Sequence, residues 1–163
     1  MSWTTFDNKE IDLLQFIEDN MTPDRKLVIG TDSQRCKKRK RKGKRKVTFC
    51  TIVAIVDEGS HRDALRRAIR KVVRTDSFGH TPEESLLKRL EHEMTLTMEL
   101  AETLSEHIGR ENIEIHIDVN PDERWKSSKL HQAFHGWAIG AGYECKIKPE
   151  AWCATAVADA QVR

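Results

Sequence analysis

Apolar residues along this chain recur in two rhythms, one of three to four residues and one of two. Over residues 7–21, Ile11, Leu14, Ile17 and Met21 keep the slower beat. That spacing predicts a helix, with Asp7 or Asn8 as its cap and Pro23 beyond its end. KLVIGT (26–31) is a short β-branched run and predicts a strand that delivers Asp32 at its end. VTFCTIVAIV (47–56) is apolar almost throughout, the signature of a strand covered on both faces. The two strands predict an antiparallel hairpin joined by the segment between them. Residues 63–74 are harder to assign. Ala64, Leu65, Ala68, Ile69, Val72 and Val73 fall on one stripe at helical spacing, opposite Arg66, Arg67, Arg70 and Lys71. By periodicity alone they predict a basic amphipathic helix.

The second half is plainer. Pro82 follows Thr81 at the head of a helix over 83–108, with acids in its first turn and Leu86, Leu90, Met94, Leu100 and Leu104 on its apolar face. NIEIHIDV (112–119) alternates strictly, which puts Glu114, His116 and Asp118 on one strand face. Ser127 or Ser128 caps a helix through Leu130, Phe134, Trp137 and Ala138 that stops at Gly140 or Gly142. Residues 143–148 form a last strand, and residues 151–162 a small-residue helix carrying Asp159.

Composition narrows the class. At 163 residues, 38% hydrophobic and 33% charged, the chain fits one α/β domain with no internal linker. No apolar run approaches the roughly 18 residues that span a bilayer, and the first ten residues do not read as a signal peptide. Cys36, Cys50, Cys145 and Cys153 form no CxxC pair. They are expected to be free thiols in a cytoplasmic protein that binds no membrane.

Charge is segregated. Arg35, Lys37, Lys38, Arg39, Lys40, Arg41, Lys42, Lys44, Arg45 and Lys46 fill ten of the twelve positions from 35 to 46. The other 18 basic residues face 26 acidic ones, a balance of −8. Such a run repels itself and stays solvated, either as a solubilising or targeting loop or as a site for a polyanion.

Asp32 and Asp118 each follow an apolar strand, where a carboxylate is costly to desolvate and is usually capped, paired or bound to a cation. Carboxylates suit Mg²⁺ or Mn²⁺, and two such ions on a shared carboxylate are the equipment of phosphodiester hydrolysis.

GTDSQ (30–34), EMTLTMELA (93–101), HIDVNP (116–121), KIKP (146–149) and ATAVADAQ (154–161), in this order, resemble the YkuK-like family of predicted RNase H-related proteins. The resemblance implies an RNase H-like fold over a single domain, a mixed five-stranded sheet in the order 3-2-1-4-5, with an extra N-terminal helix here. It also implies that 64–73 is a strand, against its periodicity. By the same resemblance Asp32, Glu93, Asp118 and Asp159 are the catalytic, metal-ligating acids, with Glu99 the alternative on the long helix.

Other signals carry less. His131 and His135 have a metal-compatible spacing without a third ligand, and His116 reads as a core histidine. Ser33 and Gln34 fit a phosphate contact or a simple turn. Trp137 and Trp152 sit at core positions, whereas Trp125, between Arg124 and Lys126, suits stacking on a base. The basic segment starts three residues after Asp32, so Lys37 lies within roughly 17 Å of it. The expectation is a nuclease using two Mg²⁺ or Mn²⁺ ions on RNA, an RNA–DNA hybrid or structured nucleic acid. The rival is a binding protein on the same scaffold without the chemistry.

Overall fold

The computed structural model describes residues 2–35, 46–59 and 65–153. Two short strands come first, β1 (Trp3–Thr4) and β2 (Glu10–Ile11), then α1 (Leu13–Asn20). Three long strands follow: β3 (Arg25–Arg35), β4 (Lys46–Asp57) and β5 (Leu65–Asp76). After them come α2 (Pro82–Ile108), a 3-10 turn (Arg110–Asn112), β6 (Ile113–Ile117), α3 (Ser128–Gly140) and β7 (Glu144–Ile147). The strands form one mixed sheet in the order β2-β1-β5-β4-β3-β6-β7. β3, β4 and β5 pair antiparallel, while β3–β6 and β6–β7 pair parallel.

The sheet therefore has seven strands, two more than the five expected. β1 and β2 extend it beyond β5, and two residues are too few to display an alternating pattern. They also take up the first half of the expected 7–21 helix. Ile11 pairs with Trp3 in the hairpin, Asn8 takes φ 62° in its turn, and α1 begins only at Leu13. Its cap is Asp12, whose Oδ1 accepts from the Gln15 N–H at 2.9 Å, not Asp7 or Asn8.

β5 is a strand despite its helix-like spacing, and the two-sided burial of the sheet explains why. Ile69 enters the core between the sheet and the helices, while Leu65, Ala68 and Val72 pack into the core on the opposite face. A strand with apolar neighbours on both faces places them in adjacent pairs, 68–69 and 72–73, which mimics a period of four. A bulge opposite Ile55 and Val56 blurs the alternation further. β4 shows the same two-sidedness, Val53 and Ile55 facing the helices, Cys50, Ile52, Ala54 and Val56 the other side.

α2 is built to start and stop where it does. Thr81 Oγ1 accepts from the Glu84 N–H at 3.1 Å, Pro82 opens the first turn, and Gly109 at φ 80° ends the helix. Leu90, Met94, Met98, Ala101 and Leu104 face the sheet together with Phe134 and Ala138 of α3. A buried threonine ladder fixes α2 on the sheet. Thr97 donates to Thr31 Oγ1 at 2.8 Å, and Thr31 meets Thr51 at 3.0 Å. That contact sets Glu93, one turn before Thr97, against the last residues of β3. α3 leaves Trp137 46% exposed, correcting its expected place in the core. No helix among the described residues is long and apolar enough to cross a membrane.

Candidate functional site

The chain turns one way from β3, to β4 and β5, and the other way from β6, to β7. Crevices form beyond the carboxyl ends of parallel strands at such a reversal. β3 pairs with β6 only from Leu27 to Gly30, then runs on with β4 as far as Arg35. Asp32 thus lies inside β3 rather than at its end, as expected, but past the last residue that β6 covers. Gly30 is in register with His116, so Asp32 stands two residues further along β3 and Asp118 just past the end of β6. Ser33, one residue on, reaches α2.

The cleft so formed encloses about 380 Å³ and is lined by Asp32, Ser33, Arg89, Glu93 and Asp118, with Trp125 and its loop at the rim. Glu93 is the recessed member, 6% exposed. Its Oε1 accepts from the Ser33 hydroxyl at 2.5 Å. Burial pushes its carboxyl up to about 8. The Ser33 hydrogen bond opposes this, the Asp32 carboxylate adds to it, Arg89 opposes it, and Asp118 adds to it last. Arg89 NH1 donates to both the carbonyl and the hydroxyl oxygen of Ser33, each at 3.2 Å. Ser33 Oγ accepts from Arg89, so its own proton is the one given to Glu93. Asp118 forms an ion pair with Lys148.

Three of the four expected acids therefore meet at one cleft, and Asp159 lies outside the described residues. Glu99 is exposed on another side of α2, and Glu102 is tied to Arg110 and Tyr143. Ser33 and Gln34 are strand residues, not a turn. The sequence reading missed Arg89, which nothing but its position one turn before Glu93 distinguishes from other helix-surface cations. It also missed Ser33 as the donor to Glu93.

His116 is 1% exposed. Its Nδ1 accepts from the Trp152 and Cys153 N–H groups, at 3.3 and 3.2 Å, and its Nε2 meets Glu114 Oε1 at 2.6 Å. It is a satisfied core histidine. The thiols of Cys50 and Cys145 are pushed by burial to about 11 and about 12, too high for reactive groups.

The donor set suits a hard divalent cation, since all three acids offer oxygen and one of them is buried against two others. As placed, no three Asp, Glu, His or Cys side chains among the described residues stand close enough together to hold one ion. Of the basic segment, Arg35 ends β3, and Lys46 opens β4 with its Nζ 2.6 Å from Asp76. Both lie at the same end of the sheet as Asp32. Lys37, Lys38, Arg39, Lys40, Arg41, Lys42, Lys44 and Arg45 fall outside the described residues.

A family model described as Ribonuclease H-like matches residues 10–163. No curated protein and no solved structure matches the chain.

Proposed function

The chain belongs to the ribonuclease H-like family, and from that premise we propose that it is a divalent-metal-dependent nuclease. The observation that carries the reading is the meeting of Asp32, Glu93 and Asp118 at one cleft beyond the β3–β6 pairing. Those three residues would hold Mg²⁺ or Mn²⁺, with Asp159 a fourth acid for the same task. Bound there, such cations supply an activated water and charge stabilisation for the departing oxygen. The protein's own part is positioning. The threonine ladder holds α2 in place, Ser33, itself held by Arg89, orients the Glu93 carboxylate, and Lys148 holds Asp118. The basic segment between Arg35 and Lys46 draws in a phosphate backbone that the acids alone would repel. RNA, RNA–DNA hybrid and structured DNA are all candidate substrates.

A cleavage assay on labelled RNA, hybrid and DNA with Mg²⁺ or Mn²⁺ tests this. Turnover that requires the ion and disappears in Asp32→Asn is the expected result. Turnover unaffected by Asp32→Asn removes the assigned site.

A second reading, a nucleic-acid-binding protein without catalysis, is favoured by one observation. The Lys148 ammonium already neutralises Asp118. Binding without turnover on any substrate is its signature. Replacing Lys37, Lys38, Arg39, Lys40, Arg41 and Lys42 with Ser then weakens binding. The log-affinity versus log-salt slope flattens by ~0.7–0.9 for each phosphate that is no longer neutralised.

A further inference from the structure

We propose that the cleft takes a single-stranded stretch of nucleic acid, one unstacked base lying on Trp125 and an adjacent phosphate meeting Arg89. The inference rests on the reading of the cleft as a nucleic-acid site and goes on to name the form of strand that fits it. Trp125 is 58% exposed, more than any other large hydrophobic side chain among the described residues, yet its loop is braced rather than slack. The Asn120 N–H donates to Ser127 Oγ at 3.3 Å, and Asn120 Oδ1 accepts from the Asp122 N–H at 3.0 Å. Asp122 accepts from the Arg124 N–H at 3.0 Å and pairs with its guanidinium, while the Trp125 N–H donates to the Asp122 carbonyl at 3.0 Å. A large indole held in water by its own loop loses little freedom on meeting a flat partner, as a stacking platform should.

The depth of the acids sets the rest. Glu93 is buried, and the Asp118 side chain is 16% exposed, so a phosphate reaches them only by entering the cleft. At about 380 Å³ that space lies at the small end of pockets for single small ligands, the scale of one nucleotide rather than of a duplex. A paired base also hides both of its faces in the stack, whereas a single strand offers one to Trp125. Arg89 supplies the cation inside the cleft. It gives NH1 to Ser33, and its buried Nε makes no hydrogen bond. A guanidinium so placed offers remaining N–H groups to a phosphate oxygen.

The test is equilibrium binding of labelled 12-mers, as single-stranded RNA, single-stranded DNA, blunt RNA–DNA hybrid and blunt duplex DNA. Wild type, Trp125→Ala, Trp125→Phe and Arg89→Gln are compared at fixed salt without divalent ions, after their melting curves have been matched. Single strands should bind at least about tenfold tighter than duplex or hybrid. Trp125→Ala should lose about tenfold on single strands only, and Trp125→Phe should restore most of it. Arg89→Gln should weaken single-strand binding and flatten its salt slope by no more than the ~0.7 expected of a single phosphate. Equal affinity for single strands and duplexes, or equal weakening on both in Trp125→Ala, overturns this inference and leaves the nucleic-acid reading standing. Failure of wild type to bind any of the four overturns that reading as well.

Discussion

Two glutamates, Glu93 and Glu114, are buried among the described residues, 6% and 0% exposed, and the protein treats them in opposite ways. Glu114 is sealed between one cation and one N–H donor. Lys146 Nζ stands 3.2 Å and His116 Nε2 2.6 Å from its Oε1. Because His116 Nδ1 accepts two backbone N–H groups, its proton sits on Nε2 and points at the carboxylate. Glu93, on α2, faces Asp32 and Asp118 instead, with the Ser33 hydroxyl as its hydrogen-bond donor. Burial costs both carboxylates their hydration. One carboxylate meets a cation and a donor within the fold; the other stands near two more acids, recessed in a cleft. A buried acid among acids is the kind of group that marks a site, and a buried acid held by a cation and a donor the kind that holds a strand in place.

The largest effect expected from this contrast is on stability, and at Glu114. Glu114→Ala leaves Lys146 and the His116 N–H facing an empty space. It should lower the unfolding free energy by ~3–5 kcal/mol, the usual result of breaking one side of a buried pair. Urea unfolding measures it, and a drop under ~1 kcal/mol would erase the distinction between the two glutamates. Cleavage per folded molecule should not change. Asp118→Asn should do the reverse. Activity should fall ~100-fold or more, beyond what removal of an outer-shell partner of a metal costs, while the melting temperature stays within a few degrees. Single-turnover cleavage of the best substrate in Mn²⁺ decides it.

The contrast is only partly legible in the sequence. Strict alternation in NIEIHIDV puts Glu114, His116 and Asp118 on one strand face, but says nothing of which is sealed and which reaches the cleft. That depends on where β6 stops pairing with β3, a tertiary fact. The acids Asp32 and Asp118 stand out because carboxylates beyond apolar runs are costly, and a family resemblance ranks Glu93 above Glu99. Ser33 and Arg89 escape these roles in the sequence, since an isolated Ser and a helix-surface Arg carry no local signal. The two-residue strands β1 and β2 escape for want of length, and β5 misleads because burial on both faces pairs its apolar residues four apart.

Glu93→Gln isolates the charge of the cleft acid at near-constant shape. In wild type the folded-state value of about 8 lies above the usual 4.5, so the folded protein holds a proton that the unfolded chain has released. Stability should therefore fall as pH rises from 4.5 to about 8 and level off above it. The variant cannot lose that proton, so its slope through this window should be flatter. At pH 9 it should be the more stable by about 2 kcal/mol, a cautious fraction of what the shift allows. Thermal melts from pH 4 to pH 9 show whether the two curves diverge. Parallel curves would mean that burial puts no penalty on the charge of Glu93. Millimolar Mg²⁺ should flatten the wild-type curve and leave that of Glu93→Gln unchanged, because a cation bound by the folded state takes the place of the proton.

The smallest effect expected is that of Ser33→Ala. The substitution removes the hydroxyl that donates to Glu93 Oε1 and accepts from Arg89 NH1, while Arg89 keeps the Ser33 carbonyl oxygen. The missing hydrogen bond favours the charged carboxylate, so without it the Glu93 value should move further up and the window of falling stability should extend to higher pH. At pH 9, with Glu93 charged, the cost should be about 1 kcal/mol. At pH 4, with Glu93 protonated, it should shrink towards zero, because the acid then needs no donor. A double-mutant cycle with Glu93→Gln separates this from a simple packing defect. If the hydroxyl acts through the charge of Glu93, the pH-dependent part of the Ser33→Ala effect vanishes in the Gln background. If the same effect persists there at both pH values, Ser33 merely fills space beside α2. The carboxylate would then be held in the cleft by the threonine ladder alone.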